Sequence, residues 1–171
     1  EVVSVYEDVA EDKQIDLRTA LAEGLSVTGD RDRLRQVLAN LVDNAIKYTP
    51  KGRVLVGCRR RRNRLRIDVC DTGLGIPASQ KKNVFREFHR LNEGAKVARG
   101  LGLGLSIVER IARVLNHSIS VQSIKSGGSH FSVRLPLAQT SSLALPAAAP
   151  RARISEAMRS RSPSSRSTRT S

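Results

Sequence analysis

Three short stretches carry the residues that could do chemistry. The first lies on a run that reads as a helix from Asp30, a good N-cap, to about Tyr48, where Pro50 and Gly52 stop it. Plot that run at about 100° per residue with Asn40 at the origin. Leu34, Val37, Leu38, Leu41, Ala45 and Tyr48 then fall between about 60° and 160°, a single apolar stripe. Asn44, at about 40°, and Lys47, at about −20°, join Asn40 on a polar face beside it. Two amides and an ammonium there suit a hard cation and a phosphate. A plain solvated helix face has the same composition.

The second stretch is DTGLGIP, Asp71 to Pro77, at the end of an apolar strand. An ionised carboxylate only accepts hydrogen bonds, so Asp71 suits an exocyclic amino group such as that of adenine. Glycines beside it let a flat ligand approach the backbone. An ordinary Asp-Gly turn is the alternative. The third stretch is GLGLGLSIVERIARVL from Gly100, a glycine-punctuated loop that opens a helix. Helix N-terminal amides attract phosphate. The stretch is neither a Walker loop, which needs GKS or GKT, nor a dinucleotide fingerprint, since no strand leads directly into it.

These stretches need a scaffold, and the remaining pattern is mixed α and β. Helical periodicity covers about Val3 to Asp12, and a short strand about Ile15 to Ala20. Val54, Val56 and Cys58 alternate before the run RRRRNRLR (Arg59 to Arg66), and Leu65, Ile67 and Val69 alternate through its end and beyond. That pattern is a hairpin turning at Arg61 to Asn63. A short helix is expected near Ser79 to Phe85 and an irregular stretch from Asn92 to Gly104. A helix follows from about Leu105 to Asn116, burying Ile107, Val108, Ile111, Ala112 and Leu115. Strands Ser118 to Ile124 and Ser129 to Leu135 close the domain around Gly127-Gly128.

Charge first points elsewhere. The chain has 171 residues, a formal net charge of +14 and 3% aromatic residues. Such a balance suggests a nucleic-acid or anionic partner. Six arginines and one glutamate, however, lie from Ala138 onward, in a segment rich in Ala, Ser, Arg and Pro. That composition predicts disorder, a linker or basic tail over 138–171. Residues 1–137 carry +9, much of it in the arginine hairpin. Without interleaved aromatics to stack bases, the hairpin reads as a solvated turn, with an anion contact as the functional alternative. No apolar run is long enough to span a bilayer. The acidic start EVVSVYEDVAEDK lacks the features of a secretory signal. Cys58 and Cys70 read as small buried residues of a reducing cytosol, and no Cys/His set has zinc-ligand spacing.

Taken in order, the stretches resemble the catalytic ATP-binding domain of bacterial sensor histidine kinases. NLVDNAIKYTP resembles the family's asparagine box, DTGLGIP its first glycine box, VFREFHRL its phenylalanine box, GLGLGLSIV its second glycine box, and GGSHFSVRLPL its closing hairpin. The likeness covers residues 1–137, with phrasing most similar to hybrid kinases. It implies the Bergerat fold, a two-layer α/β sandwich with a mobile ATP lid over about His89 to Leu103. It implies ATP and Mg2+ as ligands, with Asn44 on the metal. Asn40 would assist through phosphate or metal-bound water, and Lys47 would contact phosphate. Tyr48 would sit by the nucleotide, and Asp71 would take the adenine amino group. Gly73, Gly75 and Ile76 would shape the base pocket. Gly100, Leu101, Gly102, Leu103 and Gly104 would bring backbone to the phosphates. Arg90 matches a basic position of the phenylalanine box and joins Asn40 and Lys47 as a catalytic candidate. Lys96 and Arg99 lie in the lid, where they could neutralise the γ-phosphate.

The resemblance has gaps. Leu101 stands where many members have Thr or Ser, which removes a hydroxyl donor. No phosphoacceptor is present, since His89, His117 and His130 all follow the asparagine box and lack the family context. The chain therefore reads as a fragment of a homodimeric cytoplasmic or membrane-anchored kinase, monomeric by itself. Its expected partners are an upstream dimerisation and phosphoacceptor domain and the receiver domain of a response regulator, with no specific nucleic acid. Two other classes stay open. Bergerat-fold ATPases and anti-sigma-type serine kinases carry a Glu at the position of Asn40. A basic nucleic-acid-binding module rests on net charge alone.

Overall fold

The computed structural model describes residues 2–22, 24, 27, 29–87, 102–124 and 127–137. A 3-10 turn at Ser4–Tyr6 leads into α1 (Glu7–Asp12) and then β1 (Ile15–Leu21). α2 (Arg31–Lys47) is followed by β2 (Gly52–Arg61), β3 (Arg64–Asp71), α3 (Gly104–Val114), β4 (Ser118–Ser123) and β5 (Ser129–Pro136). The five strands form one sheet in the order β1-β2-β3-β5-β4. β1 pairs parallel to β2, and every other pair is antiparallel. Among the described residues no helix is long and apolar enough to cross a membrane.

α2 begins where the sequence places it. The Asp30 carboxylate accepts from the amides of Asp32 and Arg33, both at 3.0 Å. This satisfies donors that the first helical turn leaves open, worth about 1 kcal/mol. Asp32 in the first turn and Lys47 in the last match the helix dipole. The buried stripe is wider than the helical plot suggests. Val37, Leu41, Val42, Ala45 and Ile46 are buried, while Leu34 and Leu38 are only half-buried. The reason is tertiary. α2 meets both the sheet, at β2 and β3, and α3, so a broader arc loses water.

Alternation along the strands separates two sheet faces. Val54, Val56, Ile67, Val69, Phe131, Val133 and Leu135 point toward the helices and form the core with Leu41, Ile46, Val108 and Ile111. Each fully buried aliphatic side chain there contributes roughly 1.5–3 kcal/mol. With few aromatics the core is aliphatic, apart from an edge-to-face pair of Phe85 and Phe131 at 6.4 Å.

Two expectations change. The stretch near Ser79 to Phe85 forms two 3-10 turns, Ala78–Gln80 and Asn83–Phe85. Of the two turns only Val84 is buried, which is too little packing to hold a costly helix nucleus. α3 starts one residue early and ends at Val114, with Ile107 and Leu115 half-buried. The segment 138–171 lies outside the described residues.

Candidate functional site

The polar face of α2 points at the start of α3. A Cβ on Gly104 would stand 3.2 Å from Asn40 Oδ1 and 3.4 Å from Asn44 Nδ2. The two asparagine side chains therefore lie against the first residue of α3, on the side where its amides open. Asn40 Nδ2 donates to the Gln36 carbonyl at 3.0 Å, which leaves its Oδ1 to accept. Asn44 makes no side-chain hydrogen bond among the described residues. α3 has no side-chain cap and no acidic residue in its first turn. Its first-turn amides thus lack helical acceptors and carry the positive end of the dipole. Leu103, just before it, uses its carbonyl to hold the turn, accepting from Ile107 N at 3.0 Å and Ser106 Oγ at 2.8 Å. Gly102, at φ 72°, bends the chain into that turn.

The second half of the site lies one turn further along, at the C-terminal end of α2. Asp71 closes β3 and is buried. Its Oδ1 accepts from Gly73 N at 2.9 Å and Ser129 N at 3.1 Å. Burial pushes its carboxyl up to about 6, against the pull of those backbone amides, because no cation offsets the lost water. The Ser129 hydroxyl is a further neutral donor to this carboxylate. Gly73 allows the loop to touch the C-cap of α2: a Cβ there would stand 2.1 Å from the Tyr48 carbonyl. That carbonyl accepts from Leu74 N at 3.1 Å. Gly75 lies against Gly128, and buried Ile76 accepts from Ser123 Oγ through its carbonyl, tying the loop to β4.

α2 therefore bridges two groups of expected residues. Asn40, Asn44, Gly102, Leu103 and Gly104 gather at one place, and Tyr48, Asp71, Gly73, Gly75 and Ile76 at the other. Lys47 shares the asparagine face, yet its ammonium pairs with Asp43 Oδ2 at 2.6 Å. Both partners are more than a third exposed, so the pair is weak and Lys47 reaches a phosphate only by leaving it. Arg90, Lys96, Arg99, Gly100, Leu101 and His89, with most of the expected lid, lie outside the described residues.

Sequence reasoning missed three contributors. Gly128, at φ 92°, packs so close to β3 that a Cβ would stand 1.9 Å from the Asp71 carbonyl oxygen. The Gly127-Gly128 doublet signalled a turn, with no hint that the turn abuts Asp71. Ser129 supplies an amide to Asp71. Thr49 is fully buried, and its hydroxyl, beside Gly73, has no hydrogen-bond partner among the described residues. An orphaned buried hydroxyl beside Gly73 marks a place where a ligand or water atom fits.

The donor set can be tested against a divalent cation. Among the described residues no group of three or more His, Cys, Asp or Glu could hold a metal. What is present is amide oxygen beside open helix amides. That suits Mg2+, which keeps several waters and takes most of its other ligands from phosphate.

Residues 29–139 match the family described as histidine kinase-, DNA gyrase B- and HSP90-like ATPase. The chain is 36% identical over 140 residues to the sensor histidine kinase TmoS of Ectopseudomonas mendocina, covering 80% of this chain and 14% of TmoS. The full-length structure of ShkA in complex with AMPPNP is similar at a TM-score of 0.73 and 29% identity, covering 82% of this chain and 29% of that one. A nucleotide-free catalytic domain of the histidine kinase ThkA is similar at a TM-score of 0.68 and 29% identity, covering 79% of this chain and 88% of that one.

Proposed function

The chain belongs to the histidine kinase-, DNA gyrase B- and HSP90-like ATPase family, and on that premise we propose that it presents Mg2+-bound ATP for phosphoryl transfer to a histidine on a separate dimerisation domain of its parent kinase. Residues 1–137 form the catalytic unit, and 138–171 a linker or tail. The parent is a homodimer that signals from the cytoplasmic side to the receiver domain of a response regulator. The observation that carries this reading is the apposition of Asn40 and Asn44 to Gly104, at the open amides of α3.

In this reading Asp71 accepts the adenine amino group, and Gly73 and Gly75 let the base approach the backbone. Thr49 offers its hydroxyl at the floor of the base site. The α3 amides and the lid backbone hold phosphate oxygens. Asn44, with Asn40 beside it, would hold Mg2+, which neutralises phosphate charge when bound. Lys47 exchanges Asp43 for phosphate. Lys96 and Arg99 from the lid, and Arg90, add positive charge as the γ-phosphoryl departs. Such a site works by positioning and charge rather than by covalent chemistry. Asn40 also favours the histidine-kinase reading over a hydrolytic one. A neutral amide takes no proton from water, whereas ATPases of this fold carry a Glu at that position.

The test is calorimetry of Mg2+-ATP binding, followed by transfer of labelled γ-phosphate to the parent's phosphoacceptor domain supplied in trans. Binding of the intact chain, strong weakening by Asn44→Asp, and labelled phosphohistidine are expected. Binding with rapid ATP hydrolysis and no phosphohistidine would move the chain to the hydrolytic branch of the family. No binding at all would remove the site.

A further inference from the structure

The far end of the sheet carries a second, differently built concentration of positive charge. On the face turned away from the helices, the strand registers place Arg59, Arg66 and Arg134 in one cross-strand row. Arg61 and Arg64 form the next pair. Like charges directly opposite one another across strands destabilise a sheet. Around this end lies a cleft of about 450 Å³ lined by Arg61, Arg62, Arg64, Arg66 and Arg134, within the size range of small-ligand pockets. Arg62 at its rim sits at φ 55°, in the left-handed region, where a bulky side chain is strained.

The cleft is organised from below. Asp68, fully buried on this outer face, accepts from Arg66 Nε at 2.7 Å and Ser132 Oγ at 3.0 Å, with His130 Nε2 at 2.7 Å. Arg59 Nη2 lies 3.3 Å from its other oxygen. Arg66 also donates to Ser132 Oγ at 2.9 Å. The carboxylate therefore fixes Arg66 in one orientation while its remaining guanidinium edge borders the cleft. Arg61, Arg62, Arg64 and Arg134 have no ion-pair partner among the described residues.

We propose that this cleft is a second anion site, for a linear oligophosphate, distinct from the nucleotide site. Guanidinium forks match phosphate oxygens in pairs, and several phosphates in a row offset the arginine rows that otherwise repel. No aromatic residue lines the cleft, so it offers no platform for nucleic-acid bases. Arg64 and Asp71 are the two ends of β3, which puts the two sites roughly 23 Å apart at ~3.3 Å per residue.

The experiment is calorimetric titration of the full chain with inorganic tripolyphosphate, without Mg2+, at about 0.15 M salt. The wild type, Arg64→Ala/Arg134→Ala and Lys47→Ala are compared, with thermal melts of each. The prediction is saturable binding that weakens by roughly tenfold or more in the double arginine variant, with its melting temperature kept. Lys47→Ala, on the phosphate side of the nucleotide site, should leave tripolyphosphate binding unchanged. Absence of binding in the wild type overturns the proposal. So does equal affinity in the arginine variant, which would place the anion elsewhere, or loss in Lys47→Ala, which would place it in the nucleotide site. Tighter retention of poly-glutamate or single-stranded RNA than of tripolyphosphate would also overturn it, since the surface would then serve a macromolecule.

Discussion

β3 carries two buried aspartates three residues apart, and they live in opposite electrostatic worlds. Asp68 faces outward into Arg59, Arg66, His130 and Ser132. Burial alone would raise its carboxyl, yet hydrogen bonds from His130 and Arg66 hold it down at about 2. Asp71, on the helix-facing side at the strand end, has only neutral donors, the amides of Gly73 and Ser129 and the Ser129 hydroxyl, and burial wins, raising it to about 6. The difference teaches what a buried carboxylate is for. One set among guanidinium groups has its charge balanced and serves to orient them. One met only by neutral donors keeps acceptor capacity for a ligand.

Removing the charge at each end should separate these roles. Asp68→Ala leaves Arg59 and Arg66 without their buried counter-charge, so stability should fall by about 3–5 kcal/mol, read by denaturant unfolding. A loss below about 1 kcal/mol would mean that the cations relax into solvent at little cost. Asp71→Asn should behave in the opposite way. Nucleotide affinity should drop by about 1.5–3 kcal/mol, the worth of a hydrogen bond to a charged group, while the melting temperature holds or rises because a costly buried charge is gone. A large fall in stability would show that Asp71 is structural.

The same pair predicts opposed pH behaviour. Asp71 is raised in the fold, so its stabilising contribution is present below its ordinary value of 3.8 and is lost as pH rises through about 6. Asp68 is lowered, so its contribution is present above 3.8 and is lost as pH falls toward about 2. If Asp71 holds the adenine amino group as proposed, binding needs it ionised, so affinity should fall about tenfold per pH unit below about 6. A flat affinity profile from about pH 7 to 5 would break the assignment of Asp71 to the base. The smallest effect belongs to Thr49→Val. Replacing an unpaired buried hydroxyl with a methyl should change stability by less than about 1 kcal/mol and favour the fold if it changes at all. A larger loss would reveal a bound water that the hydroxyl holds.

Much of this was legible in the linear pattern. The Asp30 cap, the amide face of α2, the strand-terminal Asp71 and the glycines before α3 are local signals, each decided by residues within a turn or two. The arginine run read as a hairpin, and β2 and β3 are that hairpin. What the pattern missed was set by contacts between distant segments. Gly128 supports Asp71 from 57 positions away, Asp43 competes for Lys47, and α3 broadens the buried arc of α2 to Val42 and Ile46.

The sequence by itself determined the main helices and strands, their order and the chemistry at hand, because helical and strand periodicity and capping are short-range. Only the tertiary structure decided which of the two buried aspartates is charge-balanced and which meets neutral donors alone. A carboxylate's state depends on the charges and amides brought beside it from other strands. Here β2 brings the Arg59 guanidinium and β5 the His130 ring and Ser132 hydroxyl to Asp68, while the start of β5 brings Asp71 only the amide and hydroxyl of Ser129.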